Sequence, residues 1–100
     1  MKKRYLKTKP VCKVTFELPR EATNGARMVA LVGEFNDWDS GSNLMKRRKD
    51  GSFSITINLP TNREYQFKYV IDGGNWENDW NADKYLPSSI GGCENSVVVL

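Results

Sequence analysis

Tyr65-Gln66-Phe67-Lys68-Tyr69-Val70-Ile71-Asp72 is the stretch that decides the fold. Tyr65, Phe67, Tyr69 and Ile71 take every second position, with Gln66, Lys68, Val70 and Asp72 between them. A period of two puts each set on its own face of an extended chain, so this is a β-strand with one apolar side. Gly73-Gly74 then permits a tight turn into Asn75-Trp76-Glu77. Upstream, Phe53, Ile55, Ile57 and Leu59 alternate with Ser54, Thr56 and Asn58, and Pro60-Thr61-Asn62 turns that strand towards the next. Asp50-Gly51 is a hairpin turn leading back to Met45–Arg48. Cys12, Val14, Phe16 and Leu18 alternate with Lys13, Thr15 and Glu17 until Pro19 ends the run. Met28 to Val32 is apolar throughout, as suits a buried strand, and Leu44-Met45 suits a short edge strand. Residues 21–27 form a polar connection around Asn24-Gly25. Downstream, a long polar loop over 78–94 carries Trp80, Tyr85 and Pro87 before a final strand, 96–100. No segment sustains a helical period. The expectation is an all-β, immunoglobulin-like sandwich of about seven antiparallel strands.

The chain of 100 residues suffices for one core, taken as a single domain over 10–100 behind a flexible basic arm, 1–9. With 39% hydrophobic and 27% charged residues it has a globular composition. No apolar run approaches the roughly 20 residues of a membrane-spanning helix, so no membrane partner is expected. Met1-Lys2-Lys3-Arg4 has no apolar stretch behind it, and the expected location is cytoplasmic. Cys12 and Cys93 are expected as free thiols, although first and last strands often lie close enough in such sandwiches for a bridge. The net charge is +3, concentrated in the first nine residues and in Lys46-Arg47-Arg48-Lys49. The tryptophans lie instead among Asp37, Asp39, Asp72, Glu77, Asp79 and Asp83, which repel phosphate, so nucleic acid is not the expected partner.

Catalysis is not expected. The absence of histidine removes the commonest base and metal ligand. Two isolated cysteines make no zinc site, and no glycine-rich loop has phosphate-cradling spacing. The loop carboxylates have polar or glycine neighbours and no apolar pocket to raise one pKa for glycoside hydrolysis. Asp37-x-Asp39-x-Gly41-x-Asn43 fails as a calcium loop, with Ser42 and Arg48 where glycine and glutamate are required. Neither cofactor nor metal is expected.

Trp38, Trp76 and Trp80 all lie in polar, turn-rich segments, where three indoles are hard to bury and an exposed aromatic patch marks an interaction site. Trp80, within Asn78-Asp79-Trp80-Asn81, suits a loop anchor or an extension of the aromatic platform. A sugar fits such a patch: an indole covers the apolar C–H face of a pyranose while polar neighbours bond its hydroxyls. Covering about 100–150 Å² per ring contributes ~2–3 kcal/mol. After the costs of association, two rings imply micromolar-to-millimolar affinity, raised on a polymer by multivalency.

Leu31-Val32-Gly33-Glu34-Phe35-Asn36-Asp37-Trp38, then Asp50-Gly51-Ser52-Phe53, then Tyr65 to Gly73, and finally Asn95-Ser96-Val97-Val98-Val99 resemble the early-set family of isoamylase N-terminal domains. That family includes carbohydrate-binding module family 48 and the glycogen-binding domain of AMP-activated protein kinase β subunits. The resemblance covers residues 11–100. It implies an early-set sandwich that binds α-1,4-glucan polymer or oligosaccharide without catalysis. It further implies that Trp38 and Trp76 stack on glucose, that Lys68 bonds hydroxyls, and that Ile90 stands where a leucine reaches through the sugar ring. Glu94 replaces a sugar-contacting asparagine, and Asn95 matches the asparagine beside it. The module is expected to stand alone and act in trans on a glycogen-metabolising enzyme or regulatory protein. The alternative is a protein-interaction domain of the same fold, monomeric or weakly dimeric through an exposed C-terminal strand.

Overall fold

The computed structural model describes residues 1–89 and 92–100. These form β1 (Lys2–Tyr5), β2 (Val11–Leu18), α1 (Arg20–Thr23), β3 (Val29–Gly33), a 3-10 turn (Glu34–Asn36), β4 (Lys46–Arg47), β5 (Phe53–Pro60), β6 (Glu64–Ile71), β7 (Asn75–Glu77), β8 (Lys84–Pro87) and β9 (Glu94–Val99). All strand pairs are antiparallel. One sheet runs β1-β2-β5-β4; the other runs β3-β6-β9-β8, with β7 also paired to β6. The fold is an all-β sandwich of the expected kind.

Period-two patterning becomes burial. Cys12, Val14, Phe16 and Leu18 of β2 and Tyr65, Phe67, Tyr69 and Ile71 of β6 are buried in one core between the sheets. Phe67 meets Phe16 edge-on at 5.0 Å between ring centroids and Tyr69 at 5.8 Å, a geometry that suits the ring quadrupoles. Gly33 lies where a Cβ would come within 2.7 Å of the Gln66 carbonyl oxygen and 2.9 Å of Phe67 Cβ, so only glycine lets β3 leave the sheet here.

Several expectations need correction. Lys2–Tyr5, assigned to a flexible arm, is a strand paired with β2 from Lys2 opposite Thr15 to Tyr5 opposite Cys12. Its four residues are all exposed, so no burial period announces it. The loop expected over 78–94 contains β8, which pairs with β9. That pairing removes the proposed free C-terminal edge, because β9 lies between β6 and β8. Residues 20–23 make one helical turn closed by Asn24 at φ 49°, where its N–H bonds the Arg20 carbonyl at 3.1 Å. Cys12 is buried in the core, Cys93 is exposed, and both are free thiols.

Candidate functional site

The outward face of β6 presents Gln66, Lys68 and Val70. Val32 lies opposite Lys68 on β3, and Ala30 lies opposite Val70. Directly opposed residues share a face, so Ala30, Val32 and Val70 form a small apolar cluster on the outside of this sheet, and half-buried Trp38 packs against it. On the other edge of β6, β9 pairs only as far as Phe67, and β7 takes over from Tyr69. Trp76 of β7 stands opposite Val70 on the same outward face and is 54% exposed. A groove of about 860 Å³ opens across this change of partner, lined by Trp38, Lys68, Trp76, Gln66, Asn95 and Glu34, among others.

Trp38 is held by its loop. Asn36 Oδ1 accepts from the Gly33 N–H at 3.0 Å, and its Nδ2 donates to the Leu31 carbonyl at 2.9 Å and to Asn43 Oδ1 at 2.8 Å. The Trp38 N–H donates to the Gly33 carbonyl at 2.9 Å. Asp37 and Trp38 both adopt left-handed backbone, at φ 54° and 59°. Two such residues cost on the order of 1 kcal/mol or more each, and the Asn36 bonds offset that cost. Asp39 closes the loop by accepting from the Gly41 N–H and the Ser42 hydroxyl, both at 2.9 Å; these bonds hold its carboxyl below the usual carboxylate range.

Lys68 is half-buried and lines the same groove as both tryptophans, and among the described residues its ammonium has no hydrogen-bond or ion-pair partner. Asn95 Nδ2 donates to Gln66 Oε1 at 3.0 Å, and the Gln66 N–H donates to Glu34 Oε1 at 2.7 Å. Of the six residues expected to form the site, the structure brings Trp38, Lys68, Trp76 and Asn95 together. Glu94 is exposed at the start of β9 and is not among the lining residues; its carbonyl accepts from Asn78 Nδ2 at 3.1 Å. Ile90 lies outside the described residues. Gln66, Glu34 and Cys93 line the groove without having been singled out. For Gln66 the signal was present, since it shares the parity of Lys68 on β6.

Trp80 is not the anchor of its loop. It is 52% exposed, whereas Asp79 beside it is 3% exposed. Asp79 accepts from the Tyr69 hydroxyl at 2.7 Å and from the Asn81 N–H at 2.8 Å, and its own N–H donates to Ser96 Oγ at 2.8 Å. The Tyr85 hydroxyl donates to the Asp79 carbonyl. Burial, reinforced by the Asp79 carboxylate, pushes the Tyr69 hydroxyl far above its ordinary pKa. Among the described residues no three histidine, cysteine, aspartate or glutamate side chains converge as a metal site would require.

Residues 14–99 match the family described as the glycogen recognition site of AMP-activated protein kinase. The chain belongs to that family. That family is one of carbohydrate-recognition modules, and the match spans the sandwich from β2 to β9. It is also similar to part of the 1,4-alpha-glucan branching enzyme of Aquifex aeolicus, 42% identical over 55 residues that make up 54% of this chain and 9% of the enzyme. The chloroplastic/amyloplastic 1,4-alpha-glucan-branching enzyme of rice, Oryza sativa subsp. japonica, is 33% identical over 57% of this chain and 8% of its own length. The Novosphingobium aromaticivorans branching enzyme is 44% identical over 49% of this chain and 7% of its own. The similarity thus touches a small part of each enzyme.

Proposed function

We propose that the groove binds α-1,4-linked glucan, with successive glucose rings against Trp38 and Trp76. Lys68 donates to hydroxyls between them, and Gln66 with Asn95 supplies further donors and acceptors. Glu94, exposed at the start of β9, is left as an outer contact for a longer chain. The carrying observation is that two indoles on one sheet face line a groove whose lysine has no partner among the described residues. An unpaired ammonium in one groove with two apolar plates suits a ligand with C–H faces and a hydroxyl edge. In this reading the module holds a glycogen-metabolising enzyme or regulatory protein on the polymer.

The test follows tryptophan fluorescence as maltoheptaose or β-cyclodextrin is added to the wild type, Trp38→Ala and Trp76→Ala. Losing one stacking surface is expected to weaken binding by about ten-fold or more. Binding should change little with salt, because it involves few fixed charges. A wild type unaffected by either sugar at millimolar concentration overturns the proposal.

A further inference from the structure

The outward face of the other sheet carries the opposite chemistry. Arg4 of β1 is the direct partner of Lys13 on β2, and Lys2 is the partner of Thr15, itself opposite Thr56 on β5. The Thr15 and Thr56 hydroxyls bond at 2.8 Å on the floor of a shallow depression of about 260 Å³ that Lys2, Arg4 and Lys13 border. Like charges directly opposed on a sheet repel. Among the described residues neither Arg4 nor Lys13 has a carboxylate partner. Lys2 comes only within 3.8 Å of Glu17, which Arg48 engages at 3.0 Å. Beside these cations, no described strand pairs with the outer edge of β1.

We infer that this corner docks an acidic, extended polypeptide segment that adds to the edge of β1. Lys2 and Arg4, two residues apart on one strand, repeat at about 6.6–6.8 Å, the spacing of alternate side chains on an added strand. Glutamates or aspartates at every second position of such a segment therefore face Lys2 and Arg4 in turn, with Lys13 behind them, while backbone bonds hold its register. A second copy of this chain fits badly, because antiparallel pairing of two β1 strands sets Lys2-Lys3-Arg4 against itself. Nucleic acid is less favoured because the exposed ring on β1, Tyr5, has the parity of Lys3 and not that of Lys2 and Arg4, so it does not stand between these cations on the outward face. A partner docked here occupies the sheet facing away from the groove, and both ligands can be held together.

Fluorescence anisotropy with a labelled alternating Glu-Thr octapeptide tests this. The comparisons are a Lys-Thr octapeptide, oligo-dT, phosphatidylserine vesicles and the protein alone. The acidic peptide should bind at low ionic strength, weaken with salt, and perturb the amide resonances of residues 2–5 and 13. Arg4→Glu with Lys13→Glu should weaken it about ten-fold. The β-cyclodextrin titration of the same variant should stay unchanged, which also reports that it is folded. Peptide binding that survives charge reversal overturns the inference. So does tighter binding of oligo-dT or vesicles than of peptide, or self-association of the protein through β1.

Discussion

The loop of Trp38 and the loop of Trp80 have nearly the same composition and opposite fates. Each sets one indole among asparagine and aspartate, and each is fastened by a polar side chain. In the first, Asn36 binds the Gly33 and Leu31 backbone where the turn begins and the Asn43 side chain where it ends, and Trp38 packs onto the Ala30, Val32 and Val70 cluster. In the second, Asp79 goes inward to Tyr69 and Ser96, and Trp80 is left in solvent away from the groove. A tryptophan in a polar loop thus acquires its role from where the neighbouring polar anchor points.

Breaking the second anchor should have the largest effect. Asp79→Ala leaves the buried Tyr69 hydroxyl only the long contact to the Glu17 carbonyl at 3.4 Å and is expected to cost about 2–3 kcal/mol in urea unfolding, with sugar affinity retained wherever the variant is folded. Breaking the first should cost less stability and more function. Asn36→Ala removes three bonds, about 2 kcal/mol by the same measurement, and should weaken maltoheptaose several-fold as Trp38 loses its seat. Equal affinity in that variant would show that Trp38 finds its place without Asn36.

How much of this was open to reading depends on what each residue's neighbours do. Alternation on β2, β5 and β6 reports one-sided burial, which a single chain displays unaided. β1 displays nothing, since an exposed edge strand has no apolar side and Lys-Lys-Arg resembles a solvated tail. β8 carries Pro87 and exposed Tyr85, and it exists because β9 lies beside it. Composition likewise cannot tell which member of Asp79-Trp80 turns inward, because the outcome depends on Tyr69, Tyr85 and Ser96 arriving from other strands. In the groove, Trp38, Lys68, Trp76 and Asn95 were legible through family resemblance. Gln66 was legible only through its parity with Lys68.

Acid should sharpen the contrast more gently. Asp39 is held below the carboxylate range by Gly41 and Ser42, so the stability it contributes is present above its unfolded pKa, about 3.9. That contribution is lost as pH falls through the lower folded value. Below about pH 4 the Trp38 loop should loosen first, seen as a shift in tryptophan emission that Asp39→Asn removes. The smallest effect belongs to Trp80→Ala, expected within about 0.5 kcal/mol of wild type and neutral for maltoheptaose. A measurable loss of sugar affinity there would extend the binding surface beyond the groove.

The hand-over from β9 to β7 along β6 has one more consequence. The floor of the groove follows main-chain pairing, which passes from β9 to β7 between Phe67 and Tyr69. If that backbone floor needs no rearrangement, capture of an oligosaccharide is expected to proceed in a single kinetic phase. Chains of different length should then differ chiefly in how long they stay.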